Sequence, residues 1–175
     1  LADAAQADMT GRGTVLLVHG LGEHAGRYDE LARRLNSWGF AVRGYDQYGH
    51  GESGGVRGGL PSDNRLVEDL ADVLSSTRKR MDAGLPLILL GHSMGGMVAQ
   101  EVVARRPELV NRLILCGTSA SFGKPDDEWQ RQFMAQRTAP LDAGQSMSDL
   151  AEVLVPQMVG PGSLPEGVRL AAHCM

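Results

Sequence analysis

The sequence predicts an α/β fold: a mostly parallel sheet with helices on both faces, followed by a C-terminal helical cap. Three observations lead there. Short runs of β-branched and leucine residues alternate with longer stretches whose apolar residues recur at helical spacing. The passages between them are short, which selects crossover connections and parallel strands. After Gly117 no strand-like run separates the helical stretches.

The elements follow in chain order. Thr14-Val15-Leu16-Leu17-Val18-His19 reads as a buried strand that stops at Gly20. Arg27 to Trp38 reads as a helix, with Tyr28, Leu31, Leu35 and Trp38 on one side and Gly39 as its stop. Phe40 to Tyr45 is a second strand, and a glycine-rich loop runs from Asp46 to about Leu60. Leu66 to Met81 is a second helix, with Leu66, Val67, Leu70, Val73 and Leu74 on one face. Pro86 to Leu90 is a third strand, Gly95 to Arg105 a third helix closed by Pro107, and Leu113 to Cys116 a fourth strand. Asp126 to Arg137, Ser146 to Val159 and Glu166 to Cys174 read as cap helices. The expected division is a core over 1–118 and a cap over 119–175.

Composition narrows the function classes. A chain of 175 residues fits one core. With 17 Lys plus Arg against 21 Asp plus Glu, the net charge of -4 argues against a nucleic-acid binder. Arg33-Arg34, Arg78-Lys79-Arg80 and Arg105-Arg106 lie near helix ends and read as solvated faces. The longest apolar stretches, such as Leu85 to Leu90, are too short to cross a bilayer. Cys116 and Cys174 make no disulfide framework, and Cys116, ending an apolar run, is expected to be a buried thiol. Leu1 to Gly13 has no signal-peptide pattern, so a cytoplasmic location is expected, with a mature secreted form as the alternative. Because the chain starts at Leu, its natural start is expected to have been removed or to lie upstream. His19 and His24 do not form H-E-x-x-H, and no cysteine pair has zinc spacing, so no metal is expected. With neither G-x-x-x-x-G-K-[ST] nor G-x-G-x-x-G, no nucleotide cofactor is expected either. Met94, Met97, Met134, Met147 and Met158 could line an acyl pocket, with core filling as the default.

Gly91-His92-Ser93-Met94-Gly95 fits G-x-S-x-G, the sharp strand-to-helix turn that lifts a nucleophilic hydroxyl above a sheet. With 23 glycines in 175 residues, roughly 0.2 chance matches are expected, and Gly51-Glu52-Ser53-Gly54-Gly55 fits as well. Context decides for Ser93, which follows an apolar strand at once and opens a helix, whereas Ser53 sits inside a glycine-rich loop. The plain alternative for Ser93 is a helix N-cap. His19-Gly20-Leu21-Gly22-Glu23-His24 follows the first strand, where a turn can aim a backbone N–H at the atom above Ser93. The expected oxyanion donors are the amides of Leu21 and Met94.

These residues resemble the α/β-hydrolase family. Val15 to Tyr28, Tyr45 to Ser53 and Gly91 to Gly96 are similar to monoacylglycerol lipases and related lysophospholipases, with the likeness running from about Gly13 to Val98. From about Ala99 the chain is more similar to enol-lactone hydrolases of the same fold, so a recombinant chain is one expectation. The resemblance implies a carboxylester hydrolase with a Ser-His-Asp triad, Ser93 as nucleophile, no metal, and a lid over an apolar pocket for an ester or lipid. An enol lactone is the alternative substrate. A non-catalytic or split fragment is the alternative from another class.

The family order, Ser then Asp then His, places the acid and base after two further strands, which are not evident between Cys116 and Met175. An N-terminal antiparallel pair is likewise not evident before the first strand. The expectations are a fragment, a second chain or oligomer that supplies the missing Asp and His, or a shortened hydrolase. His173 is the one histidine after Ser93, with Asp142 or Asp149 to orient it. The favoured reading of Asp149 is a helix-start charge and of His173 a cap histidine. His19, His24 and His50 are read as loop-orienting residues, and His92 as pointing away from Ser93.

Overall fold

The computed structural model describes residues 11–57, 59–120, 127–158, 162–166 and 168–169. The chain divides into two compact units, Leu1–Ala120 and Ser121–Met175.

The first unit is a four-stranded parallel sheet. Its strands are β1 (Thr14–Val18), β2 (Ala41–Gly44), β3 (Leu87–His92) and β4 (Arg112–Cys116), in the order β2-β1-β3-β4. Three helices connect them: α1 (Asp29–Ser37), α2 (Arg65–Arg78) and α3 (Met94–Arg105). β1 is buried at every position, as a central parallel strand covered on both faces must be. Its side chains alternate between two cores. Leu16 and Val18 pack with Leu66, Leu70 and Leu74 of α2 and Val98, Ala99 and Val102 of α3. Val15 and Leu17 pack with Ile88, Leu90, and Leu31 and Leu35 of α1. Fully buried leucines such as Leu16 and Leu89 contribute about 1.5–3 kcal/mol each.

Boundaries depart from the sequence reading in instructive ways. The helix expected from Arg27 begins as a 3-10 turn at Ala25–Tyr28 and becomes α-helical at Asp29, where Asp29 and Glu30 complement the positive helix end. β3 runs on to His92, so Ser93 follows the strand without a spacer. Cys116 is a correction, being exposed rather than buried. Among the described residues β4 pairs with β3 alone, so its apolar run, including Ile114 and Leu115, lies on an open edge.

In the second unit the described residues form α4 (Glu128–Asp142) and α5 (Met147–Met158), with Leu150, Ala151 and Val155 buried. The third cap helix falls largely outside the described residues, and His173 lies outside them entirely.

The sheet order fixes where loops can form a site. The chain leaves β1 toward β2 on one side, then returns across β1 to β3 on the other. Loops leaving the carboxyl ends of β1 and β3 therefore diverge and open a crevice between them. Gly20 follows the first strand and Ser93 the second.

Candidate active site

Ser93 joins β3 to α3 with φ 51° and ψ -122°. Among the described residues it is the one non-glycine with positive φ, a conformation that costs on the order of 1–3 kcal/mol. Its backbone is held on every side. The Ser93 N–H donates to Cys116 O at 2.9 Å. The Ser93 carbonyl accepts from Gly96 N–H at 3.0 Å, Met97 N–H at 3.3 Å and the Thr118 hydroxyl at 2.7 Å. The Ser93 hydroxyl does not cap α3, which removes the plain N-cap reading. Two flanking glycines admit the close packing: a Cβ on Gly95 would lie 2.4 Å from His19 O, and one on Gly91 would lie 2.6 Å from Gly96 Cα.

The turn after β1 comes directly against the elbow. A Cβ on Gly20 would lie 3.0 Å from Ser93 Cβ. Val18 is level with Gly91 in the β1–β3 register, so Leu21 and Met94 each lie three residues beyond the paired strand ends. Among the described residues neither the Leu21 nor the Met94 N–H has a protein acceptor. The Leu21 side chain is 67% exposed, so its backbone carries whatever role the position has.

Glu23 braces this turn. Its Oε2 accepts the Gly20 N–H at 2.9 Å and the Tyr28 hydroxyl at 2.7 Å, and His92 Nδ1 lies 3.3 Å away. His92 Nδ1 is also 2.8 Å from the Tyr28 oxygen, so its ring turns to this network rather than to Ser93. Burial pushes the Glu23 carboxyl up, but bonds from Tyr28, Gly20 and His92 together hold it below its ordinary value. The Tyr28 phenol is pushed up by burial and by that carboxylate.

A second brace holds the loop after β2. His19 is buried; its Nδ1 lies 2.8 Å from Gly20 O and its Nε2 accepts the Gln47 N–H at 2.9 Å. This pattern assigns a neutral ring with the proton on Nδ1, and burial lowers its pKa. Both ring nitrogens are thus committed to the scaffold. Asp46 accepts the Ala25 N–H at 2.7 Å and the Glu52 N–H at 2.9 Å. Burial raises its carboxyl pKa, and those two N–H groups more than offset this and hold it low. The Ser53 hydroxyl donates to Asp46 O at 2.5 Å, so the second G-x-S-x-G match is a loop clasp. His50 Nδ1 meets Tyr48 O at 2.9 Å in the same loop.

Among the described residues no histidine or carboxylate hydrogen-bonds the Ser93 hydroxyl. Asp149 is engaged at the start of α5: its carboxylate accepts the Ser146 hydroxyl at 2.7 Å and N–H at 2.9 Å, while Ser146 Oγ accepts the Asp149 N–H at 3.2 Å. That reciprocal box is the helix-start reading of Asp149, and the Ser146 hydroxyl, then its N–H, keep the carboxyl low. Asp142 closes α4. Among the described residues no group of three or more His, Cys, Asp or Glu could hold a metal ion, and no helix is long and apolar enough to cross a membrane. Sequence reasoning gave no role to Glu23, Tyr28, Asp46 or Thr118. A lone carboxylate in a glycine-rich turn, with a tyrosine five positions on, was the available signal for the first two.

A parallel sheet with a strained serine elbow at its switch point defines the α/β-hydrolase class. The family profile Hydrolase_4, described as Serine aminopeptidase, S33, matches residues 10–157, and the chain belongs to that family. It is 39% identical over 114 residues to a monoacylglycerol lipase of Mycolicibacterium smegmatis, covering 65% of this chain and 40% of that protein. It is 42% identical over 98 residues to a monoglyceride lipase of Homo sapiens, covering 56% of this chain and 32% of the human one. The chain thus spans well under half the length of these relatives. A crystal structure of a thermostable carboxyl esterase from Bacillus coagulans, in complex with glycerol, superposes with a TM-score of 0.65 at 28% identity. That superposition covers 93% of this chain and 57% of the esterase.

Proposed function

We propose that Ser93 is the nucleophile of a serine hydrolase acting on carboxylic esters, with acylglycerols as the favoured class and the Leu21 and Met94 N–H groups as oxyanion donors. One observation supports the reading: a strained elbow carries a hydroxyl that makes no cap bond and packs against the turn at Gly20, and among the described residues the Leu21 and Met94 N–H groups have no protein acceptor. The names of the mycobacterial and human relatives support the acylglycerol class.

In the reaction a histidine takes the Ser93 proton as the oxygen attacks the ester carbonyl. The carbonyl oxygen becomes an oxyanion and receives the Leu21 and Met94 N–H groups. Collapse expels the alcohol, which takes the proton, and leaves the acyl group on Ser93. Water, activated by the same base, then releases the acid. The base and its orienting carboxylate come from residues outside those described, or from a second chain.

The test is covalent labelling of the 175-residue chain by a fluorophosphonate, in which Ser93 Oγ bonds phosphorus and fluoride leaves. Labelling is expected at Ser93, absent in Ser93→Ala and retained in Ser53→Ala. Labelling that persists in Ser93→Ala and vanishes in Ser53→Ala would overturn the assignment. An unlabelled wild-type chain that becomes reactive on adding a C-terminal segment of a relative would locate the base outside the chain.

A further inference from the structure

We infer that Glu23 is a positioning residue for the oxyanion turn, an inference that rests on the proposed nucleophile. The reason lies in the peptide planes on either side of Gly20. A glycine rotates freely on both sides, so the N–H of Leu21 has a defined direction only if both planes are pinned. The Gly20 N–H belongs to the plane shared with His19 and is held by Glu23 Oε2 at 2.9 Å. The Gly20 carbonyl belongs to the plane shared with Leu21 and is held by His19 Nδ1 at 2.8 Å. That peptide is trans and planar, so fixing its carbonyl sends the Leu21 N–H the opposite way. The His19 carbonyl of the first plane is held as well, by Gln47 Nε2 at 2.7 Å, so losing Glu23 leaves that plane hinged on one bond instead of two and loosens the line of the Leu21 N–H.

Glu23 does more than hold one plane. The same oxygen takes the Tyr28 hydroxyl at 2.7 Å and lies 3.3 Å from His92 Nδ1, while Oε1 faces the Arg27 guanidinium at 3.7 Å. His92 immediately precedes Ser93. One carboxylate therefore ties the turn that carries Leu21 to the strand end that carries the nucleophile and Met94. A charged acceptor makes the stronger bond to a backbone N–H, and the Glu23 side chain is only 18% exposed.

The test uses the full chain and the saturation kinetics of fluorophosphonate labelling. In Glu23→Ala the maximal labelling rate falls about tenfold or more, less than the ~10²–10³ typical of deleting an oxyanion donor outright. The half-saturating probe concentration is expected to stay near the wild-type value, because Glu23 acts through the Gly20 backbone. Glu23→Gln keeps an acceptor for Gly20 and recovers part of the rate. Backbone amide exchange supplies an independent readout, with the Gly20 N–H exchanging faster in Glu23→Ala. A wild-type labelling rate in Glu23→Ala overturns the inference, as does an equal loss in Glu23→Gln and Glu23→Ala. If the wild-type chain is labelled neither alone nor with the added C-terminal segment, the nucleophile reading fails and exchange alone judges Glu23: unchanged Gly20 exchange overturns its positioning role.

Discussion

Replacing Ser93 by glycine is expected to make the protein more stable while abolishing acylation. Ser93 sits at φ 51° and ψ -122°, where an L side chain is strained by about 1–3 kcal/mol and glycine is not. Glycine also widens the unfolded ensemble, which offsets about 0.5–1 kcal/mol of that gain. Loss of an N-cap would normally subtract more, but the Ser93 hydroxyl makes no cap bond. The balance is a gain of about 0.5–2 kcal/mol over Ser93→Ala, which keeps the strain and lacks the hydroxyl. For a chain of this size that is roughly 1–8 °C in Tm. Urea unfolding of the two variants side by side gives the difference directly. If Ser93→Gly proves no more stable than Ser93→Ala, the elbow stores no strain and the account of its backbone is wrong.

Two further outcomes follow from named contacts. Gly95→Ala would push a Cβ to 2.4 Å from His19 O and 2.5 Å from Val18 O, both backbone atoms that cannot step aside. A loss of about 1–3 kcal/mol is expected, against no measurable change in Gly54→Ala, where nothing lies within 4 Å; urea midpoints that match would contradict the packing. For pH, burial lowers the His19 pKa from 6.5, so below that value the unfolded chain binds a proton the folded one resists. Stability therefore rises with pH and should fall as pH drops from about 7 through 6.5. Glu23 and Asp46, both held low, act with the same sign at lower pH, their contribution lost as pH falls through the folded values. Unfolding free energies that stay flat across the upper window would contradict a neutral buried His19.

The sheet and the elbow were legible because their signals are local. β1 and β3 announce themselves as unbroken apolar runs, and Ser93 could be told from Ser53 by what directly precedes and follows it. The expected oxyanion donors were legible from position alone, as the turn after the first strand and the residue after Ser93, since nothing in the residue types Leu21 and Met94 marks them. The Glu23 network was not legible, because its meaning depends on His92, 69 positions away, and on Tyr28 facing the same ring. Cys116 was misread for a related reason. An apolar run reports that a strand exists, not whether it lies at the centre of a sheet or on its edge.

A strained residue persists only when its surroundings leave it no alternative, and the described contacts to the Ser93 backbone come from the sheet unit. Cys116 O holds its N–H, Thr118 and two amides of α3 hold its carbonyl, and β1 backbone closes the space beside Gly95. The facing turn is clamped by Glu23 and His19 from within the same unit. No histidine base takes part in any of these contacts, since both nitrogens of His19 are committed and His92 faces Tyr28. Among the described residues, the elbow and the turn facing it are therefore held without any group bonded to the Ser93 hydroxyl. If Ser93 is the nucleophile proposed above, a base would then add proton transfer to geometry that these contacts already hold in place.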